Sequence, residues 1–168
     1  ACMDKPPHLL TTAEPFEPAQ RAQLQSTLSA MPPLHAIGCA VFDATHGHLV
    51  LGAPLALNVN DKGNAFGGSM ASLMTVACWG LFNLHLLRAG IHAEVYVQDS
   101  QIRYLTPVYE DLRAVAQATA GHDWTEALNI LHDKGKSRIP MRAAIVLADG
   151  REAATLEARF VALRPAVK

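Results

Sequence analysis

The stretch that decides the fold is SMASLMTVACWGLFNLHLLR, residues 69–88. Between Met70 and Leu87 it contains no Asp, Glu, Lys or Arg, and apolar residues occupy every side of a 3.6-residue period. A helix with that pattern is buried on all sides, so we expect it to form the centre of a domain. Its length would nearly span a bilayer, but polar residues interrupt it and strand patterns flank it, which favours a core helix and no membrane partner.

An Asn- and Gly-rich loop, residues 58–68, leads into this helix. Gly67 and Gly68 stand where the first backbone N–H groups of the helix have no partner within the helix. Such N–H groups attract oxyanions, because the positive end of the helix dipole lies there. The helix start is therefore the first candidate for a binding or catalytic site.

The composition narrows the classes of function. The chain has 168 residues, enough for one domain with a substantial core, and 50 % of them are apolar. A net charge of −1 provides no basic stripe for nucleic acid or for an acidic membrane surface. We therefore expect the partner to be a small molecule or another copy of the chain, in a homodimer or a higher homo-oligomer.

Cysteine usage indicates a reducing compartment. The three cysteines, Cys2, Cys39 and Cys78, have no CxxC spacing, and two of them lie inside apolar segments. The first residues have neither a basic region nor a long apolar region, so no secretory signal is expected. The sequence predicts a cytoplasmic protein.

The N-terminal part divides into a lead-in and a short helix. Residues 4–16 are rich in Pro and Thr and show no period, which is typical of a loose segment. Over residues 18–31 the apolar positions recur at helical spacing, and Pro32-Pro33 is expected to end the helix. We assign residues 1–34 to this lead-in and helix, and residues 35–168 to the main domain.

Strand patterns fill most of the remaining chain. They cover residues 35–42, 48–57, 93–105, 111–119, 137–147 and 152–163, and a short helix is expected over residues 123–132. The alternation in the third strand changes parity around Asp99-Ser100, which predicts a bulge. The order of elements predicts an α+β domain in which an antiparallel sheet curls around residues 69–88.

Three short motifs suggest other chemistry, and their contexts argue against it. Gly67-Gly68-Ser69 imitates a nucleophile elbow, but a loop precedes Ser69 where an elbow needs a strand, which favours a helix-start residue. Gly135-Lys136-Ser137 lacks the first glycine of a phosphate loop. His46-Gly47-His48 beside Asp43 lacks a distant third metal ligand. The sequence therefore predicts neither a metal site nor a cofactor.

One layout extends from the loop through the helix to the end of the next strand. It consists of Asn60, then Phe66-Gly67-Gly68, a buried helix, Asp99 in the long strand and Tyr104-Leu105-Thr106-Pro107 at its end. This layout resembles the hotdog-fold acyl thioesterases. With Cys78-Trp79-Gly80 in the helix, it is more narrowly similar to a thioesterase-like domain that some bacteria carry fused behind a GNAT acetyltransferase. The likeness covers residues 35–164, and here the domain is expected to stand alone.

The resemblance implies both a fold and a site. In that superfamily a sheet wraps one helix, two subunits join their sheets, and acyl-CoA or acyl-carrier-protein thioesters bind at the subunit junction. It implies that Asn60 positions water or the thioester, and that the N–H groups of Gly67 and Gly68 hold the thioester carbonyl. Two residues depart from the family pattern. Phe66 replaces the usual His, and Thr75 stands where many relatives carry a catalytic carboxylate.

The candidates left for the proton path are a carboxylate and two hydroxyls. Asp99 could act as the base, or it could pair with Arg103 or a backbone N–H as a structural residue. Ser72 and Thr75 share one helix face, and hydrogen bonding back into the helix is their alternative role. We assign catalysis to Asn60, Gly67, Gly68, Thr75 and Asp99, and substrate contacts to Asn64, Phe66, Ser69, Ser72 and Arg103.

Two functions of different kinds follow. The first is hydrolysis of an acyl thioester, with Asn60 orienting water and Asp99 or Thr75 completing the proton path. The second is a module that binds or senses acyl-CoA without turning it over, because a helix carboxylate is missing. Dehydration or isomerisation of an acyl group is a weaker third option, since it generally needs a His where Phe66 stands.

Overall fold

The computed structural model describes residues 13–166. Its helices are α1 (Pro18–Ala30), α2 (Pro32–Ile37), α3 (Gly67–Ala89) and α4 (Trp124–Lys134), and a 3-10 turn spans Leu55–Leu57. Its strands are β1 (Ala40–Ala44), β2 (Leu49–Ala53), β3 (Glu94–Tyr104), β4 (Leu112–Ala118), β5 (Lys136–Val146) and β6 (Glu152–Leu163).

The six strands form one antiparallel sheet in the order β1-β2-β4-β5-β6-β3. The sheet wraps α3, whose contacts reach β2, β3, β4, β5 and β6. The predicted α+β architecture, an antiparallel sheet around a long central helix, is confirmed. Strand β3 lies at one end of the sheet, so one of its edges has no partner strand among the described residues.

Helix α3 is the core of the domain. By length and composition it could cross a membrane, but 67 % of its most apolar window is buried inside the protein. Residues on all its sides are buried, including Leu73, Met74 and Leu81. The helix is therefore apolar because the sheet surrounds it, as the sequence pattern predicts.

The segment after α1 differs from the prediction. We expected Pro32-Pro33 to end the helical region and a strand to begin at residue 35, but the two prolines occupy the first positions of α2. Proline suits a helix start, because its fixed φ is helical and the N–H it lacks would be unpaired there. Gly38, with a left-handed φ of 71°, ends α2, and β1 begins only at Ala40. The predicted domain boundary after residue 34 falls within α2.

The second predicted strand is shorter than expected. Strand β2 stops at Ala53 because Pro54 follows it, and the chain then enters the 3-10 turn. A proline has no N–H for the strand ladder. The chain thus leaves the sheet early and has room for the loop that leads to α3.

The parity change predicted in β3 is confirmed as a bulge. Val97 lies opposite Phe160 of β6, and Asp99 lies opposite Arg159, so Gln98 has no opposite residue. Directly paired residues share a face of the sheet. Val97 therefore faces α3 with the buried Phe160, whereas Asp99 faces outward with the exposed Arg159.

The end of the predicted lead-in docks on the domain. Residues 1–12, which include most of that segment and Cys2, lie outside the described residues, as do residues 167–168. Phe16 is 2 % exposed, and its backbone N–H donates to the Ala44 carbonyl at 3.1 Å. Its ring contacts His46 and His85 edge to face. The chain is thus anchored to the core before α1 begins.

Candidate active site

The start of α3 presents bare backbone donors. The residue that precedes the helix is Phe66, whose side chain cannot accept a hydrogen bond as a capping Ser or Asp would. Within residues 13–166, the N–H groups of Gly67 and Gly68 have no hydrogen-bond partner. A Cβ on Gly68 would lie 2.5 Å from the Phe66 ring, so the ring packs directly against this backbone and glycine is the residue that allows the contact. The geometry suits a carbonyl oxygen or an oxyanion.

Three exposed aromatic rings surround the helix start. Phe66 is 55 % exposed, Tyr104 54 % and Tyr109 68 %. The Tyr104 hydroxyl donates to the Gly67 carbonyl at 3.1 Å, which ties the end of β3 to the first turn of α3. Our sequence reasoning used Tyr104 only as a strand-end motif and missed Tyr109. Both tyrosines are far from Gly67-Gly68 in the sequence, and no local pattern around them identifies them as neighbours of the helix start.

Asn60 and Asn64 organise the loop before the helix. The Asn60 amide nitrogen donates to the Asn64 side-chain oxygen at 2.7 Å, and the Asn60 oxygen accepts from the Lys62 N–H at 2.8 Å. The Asn64 amide nitrogen lies 3.5 Å from the Tyr109 hydroxyl. One Asn60 amide hydrogen remains for a ligand or water. Most of the bonding capacity of Asn60 therefore holds the loop in shape.

An apolar cavity of about 640 Å³ lies beside α3, between that helix, the α1–α2 junction, β3 and β6. Its apolar walls include Met31, Leu34, Val76, Trp79, Val97, Ile102 and Phe160. This volume is within the range of small-molecule sites in proteins, which is about 300–1,000 Å³. The cavity is open along β3, where Val97 is 44 % exposed.

Three hydroxyls also line this cavity, those of Ser72 and Thr75 on α3 and Ser100 on β3. None of them forms a hydrogen bond with any residue from 13 to 166, so the back-bonding role considered for Ser72 and Thr75 is not the one observed. By contrast, Thr27 bonds back to the Gln23 carbonyl in α1. The cavity hydroxyls are available for a ligand or a water molecule. Ser100 is a site residue that the sequence reasoning missed, because it drew attention to Asp99 next to it.

Asp99 and Arg103 are not brought to this cavity within one chain. Both face the outer side of the sheet, because the bulge places Ser100 and Ile102 on the helix side. Asp99 pairs with Arg159, with Nε 2.9 Å from Oδ2, in an outer groove of about 510 Å³. The hydrogen-bonding Arg159 guanidinium keeps the pKa of the Asp99 carboxyl below its usual value, so Asp99 is a weak base there.

Ser69 lies in the first turn of α3 and is 7 % exposed. The residues before it form a loop, and its N–H donates to the Phe66 carbonyl at 3.1 Å. This is the helix-start position expected for Ser69, without the preceding strand that a nucleophile elbow requires. Among the described residues that line the apolar cavity, none is Asp, Glu or His.

A six-stranded antiparallel sheet around one long helix, with bare helix-start amides and an apolar cavity along the helix, defines the hotdog class of α+β proteins. Within that class, comparison with known protein families identifies one family. The family described as "Putative thioesterase (yiiD_Cterm)" matches residues 21–164, and this chain belongs to it.

Solved structures show the same architecture. A protein of unknown function from Chlorobaculum tepidum is 25 % identical, with a TM-score of 0.81 over 92 % of this chain and 100 % of that one. A "putative thioesterase" from Shewanella oneidensis is 25 % identical, with a TM-score of 0.77 over 88 % and 99 %. A thioesterase from Haemophilus influenzae, 12 % identical with a TM-score of 0.68 over 89 % and 94 %, shares the fold.

Proposed function

We propose that this protein hydrolyses acyl thioesters of coenzyme A or of an acyl-carrier protein at the start of α3. The observation that carries the proposal is that one helix offers both parts of a site: bare N–H groups at Gly67 and Gly68, and, from Ala71 onward, a wall of an apolar cavity with free hydroxyls. A thioester combines a polar carbonyl with an apolar chain, and this site offers donors for the first and a cavity for the second. Membership of a thioesterase family supports the same reaction.

In the proposed reaction, the thioester carbonyl oxygen accepts hydrogen bonds from the Gly67 and Gly68 amides. Thr75 lies seven residues after Gly68 on α3, about 10 Å along the axis, too far to act on a carbonyl held by the amides of the same chain. Water held by the Thr75 and Ser100 hydroxyls of the second copy, in the dimer proposed below, attacks the carbonyl carbon, and negative charge develops on the oxygen that the amides stabilise. The new carbon–oxygen bond replaces the carbon–sulfur bond, and the departing thiolate takes up the proton that the water loses. The remaining amide hydrogen of Asn60 is a further contact for the water or the thioester.

The source of the catalytic power in this scheme is positioning and oxyanion stabilisation. Within the described part of the chain, the cavity wall carries no carboxylate or imidazole that would act as a general base. Asp99 as the base stays a prediction, and the scheme does not use it. The predicted contacts of Asn64, Phe66, Ser69, Ser72 and Arg103 with substrate likewise stay predictions, with Ser72 on the cavity wall and Phe66 at the helix start.

The proposed active unit is a homodimer. The free edge of β3 is eleven residues long and carries the half-exposed apolar side chains of Tyr96 and Val97. A long unpaired edge with exposed apolar side chains in its first half is a template for pairing with another strand. Pairing of two β3 strands would extend the sheet across both copies and close the open side of the cavity. The narrower likeness to domains fused behind an acetyltransferase, and the cytoplasmic location, remain expectations.

A binding or sensing module is the second candidate. The observation that favours it is the cavity wall without a carboxylate, since such a site can hold an acyl thioester and lack the means to hydrolyse it quickly. Both candidates use the same cavity. They differ in whether a free thiol is released.

The deciding experiment is a panel of acyl-CoA thioesters, with release of free thiol as the readout, on the wild type and two variants at Thr75. Thr75→Asp places a carboxylate on the cavity wall, and Thr75→Asn is the uncharged control of similar shape. Hydrolysis predicts measurable wild-type turnover that Thr75→Asp raises, by up to about 10²-fold for a well-positioned base, while Thr75→Asn does not. A wild type that binds acyl-CoA and releases no thiol at any chain length establishes the binding module instead.

A further inference from the structure

We propose that Trp79 is the end wall of the acyl site and limits its substrates to acyl chains of up to about twelve carbons. The inference rests on the proposed function, since it takes the acyl group of that thioester as the occupant of the cavity. The substrate class it names is the thioester of a short- or medium-chain acyl group, and it excludes palmitoyl-length chains.

A stripe of four residues runs along α3 from its start towards its middle. Gly68, Ser72, Thr75 and Trp79 follow one another at spacings of four, three and four, so they lie on one face of the helix. An acyl chain whose carbonyl is held at Gly68 would therefore lie along this face. The stripe begins at the bare amides and ends at the indole of Trp79.

Hydrogen bonds tie β3 to α3 at both ends of this stripe. At the helix start, the Tyr104 hydroxyl bonds to the Gly67 carbonyl at 3.1 Å. At the far end, the Trp79 Nε1–H donates to the Val95 carbonyl at 3.0 Å. The indole is thus fixed between helix and strand by a hydrogen bond, and it forms a rigid wall. A chain longer than the cavity would have to break that bond or leave the groove.

The length follows from helix geometry. Trp79 lies eleven residues after Gly68, about 16 Å along the axis at 1.5 Å per residue. An extended chain advances about 1.2 Å per bond, so about twelve carbons fill this distance. The hydroxyls of Ser72, Thr75 and Ser100 explain why the occupant is a chain with a polar group rather than a purely apolar one.

The test measures binding through the indole itself. The chain has two tryptophans, and Trp124 stacks on His85 at 4.1 Å between ring centroids. Trp124→Phe keeps an aromatic ring there and leaves Trp79 as the only tryptophan, so excitation selective for tryptophan over tyrosine reports Trp79 alone. Non-hydrolysable S-alkyl-CoA thioethers from propyl to hexadecyl are titrated against this variant. We expect Kd to fall about fourfold per added methylene, the effect of burying one such group, and to level off near dodecyl.

The chain length at which Kd stops falling is called the break here. Two substitutions move the break in opposite directions. Trp79→Leu opens the end wall and shifts the break to longer chains. Met31→Phe puts a stiffer and bulkier side chain on the cavity wall and shifts it to shorter ones, which keeps the test decisive should Trp79→Leu unfold. Ile130→Ala, at an exposed position on α4, is the control and leaves the break unchanged. Thiol release by the wild type across acyl-CoA lengths is expected to decline beyond the same break.

The outcomes separate this inference from the proposed function. A break that follows the substitutions, without any thiol release, supports the end wall and contradicts hydrolysis. Thiol release with no break, or a break that neither substitution moves, overturns the end wall and leaves hydrolysis in place. Thiol release without any Trp79 fluorescence response also overturns it, because a second copy rather than the acyl chain would then fill the cavity.

Discussion

At Gly68, the addition of a single methyl group should lower activity and leave the stability of the fold nearly unchanged. Alanine favours a helix by up to about 1 kcal/mol over glycine, and the Phe66 ring that a Cβ would meet is half exposed and can turn aside. The methyl group would nevertheless displace the Phe66 ring beside the bare amides and so change the surface against which a carbonyl would dock. We expect Gly68→Ala to lower kcat about 10²-fold, the effect of losing one oxyanion donor.

The measurement is thioester turnover together with a thermal unfolding curve of the same preparation. A Tm near the wild-type value with reduced turnover assigns the loss to the site. Unchanged turnover in a folded Gly68→Ala protein would remove the start of α3 from the reaction.

His85 should make the stability of the fold depend on pH. It is 2 % exposed, its Nε2–H donates to the His46 carbonyl at 2.9 Å, and its Nδ1 is buried without a partner among the described residues. Burial outweighs the hydrogen bond to the His46 carbonyl, which acts in the opposite direction, and lowers the pKa of His85 from 6.5 to about 4. Between pH 6.5 and 4 the His85 ring is protonated in the unfolded chain but stays neutral in the folded chain. The free energy of unfolding therefore falls as the pH falls towards 4.

A pKa shift of this size lowers the free energy of unfolding by about 3 kcal/mol between pH 6.5 and pH 4. Above pH 6.5 His85 makes no pH-dependent contribution, because its ring is neutral in both states. Urea unfolding at several pH values measures it. His85→Gln keeps an N–H donor for the His46 carbonyl and removes the titration, so its curve should be flatter over this range. His92→Gln, at an exposed position, controls for the removal of one histidine. Parallel curves for wild type and His85→Gln would contradict the prediction.

At the scale of elements, β3 decides which polar groups can act in the cavity. Its bulge puts Ser100 on the helix side and Asp99 on the outer side, where Arg159 pairs with the carboxylate. We therefore expect Asp99→Asn to leave kcat close to the wild-type value. Thr75→Val, which keeps the shape and removes a cavity hydroxyl, should lower kcat roughly tenfold, as the loss of one positioned hydrogen bond does.

The Asp99→Asn and Thr75→Val variants are compared with the wild type by steady-state kinetics and by binding of an alkyl-CoA thioether. A large loss of kcat in Asp99→Asn with unchanged binding would reverse the assignment and restore Asp99 as the base expected from the sequence. Equal kinetics for Thr75→Val and the wild type would show that the Thr75 hydroxyl does not orient the water.

The same elements show what a single sequence could and could not reveal. The uninterrupted apolar pattern of residues 69–88 identified the central helix, and the parity change located the bulge, because each reports burial directly. The helix α2 was missed, because Pro32-Pro33 can either stop a helix or start one. The outward direction of Asp99 was missed, because a parity change shows that a bulge exists but does not show which neighbour faces the core.

At the scale of the whole molecule, the free edge of β3 predicts a dimer. Light scattering of the wild type at micromolar concentration should give about twice the chain mass of 18.1 kDa. Val97→Lys places a charge on the helix side of this edge, a change that blocks pairing between sheet edges. We expect the variant to be a monomer of 18.1 kDa with reduced turnover, since the cavity would stay open.

Ile130→Lys is the matched control, because Ile130 is an exposed apolar residue on α4, outside β3. It should scatter light as the wild type does. A wild type that is already monomeric at this concentration would exclude the dimer, and a dimeric Val97→Lys protein would place the interface elsewhere.

The bulge at Gln98 also affects how this chain should be aligned with its relatives. Gln98 has no opposite residue on β6, and its side-chain oxygen accepts a hydrogen bond from Arg138 at 2.9 Å. Losing that one residue would straighten β3 without turning any other side chain over, whereas a deletion later in the strand would exchange inward and outward positions after it. A relative with a regular strand should therefore align with a one-residue gap at Gln98. An ungapped alignment would match cavity residues with surface residues along half of the strand, and would transfer site assignments to the wrong face.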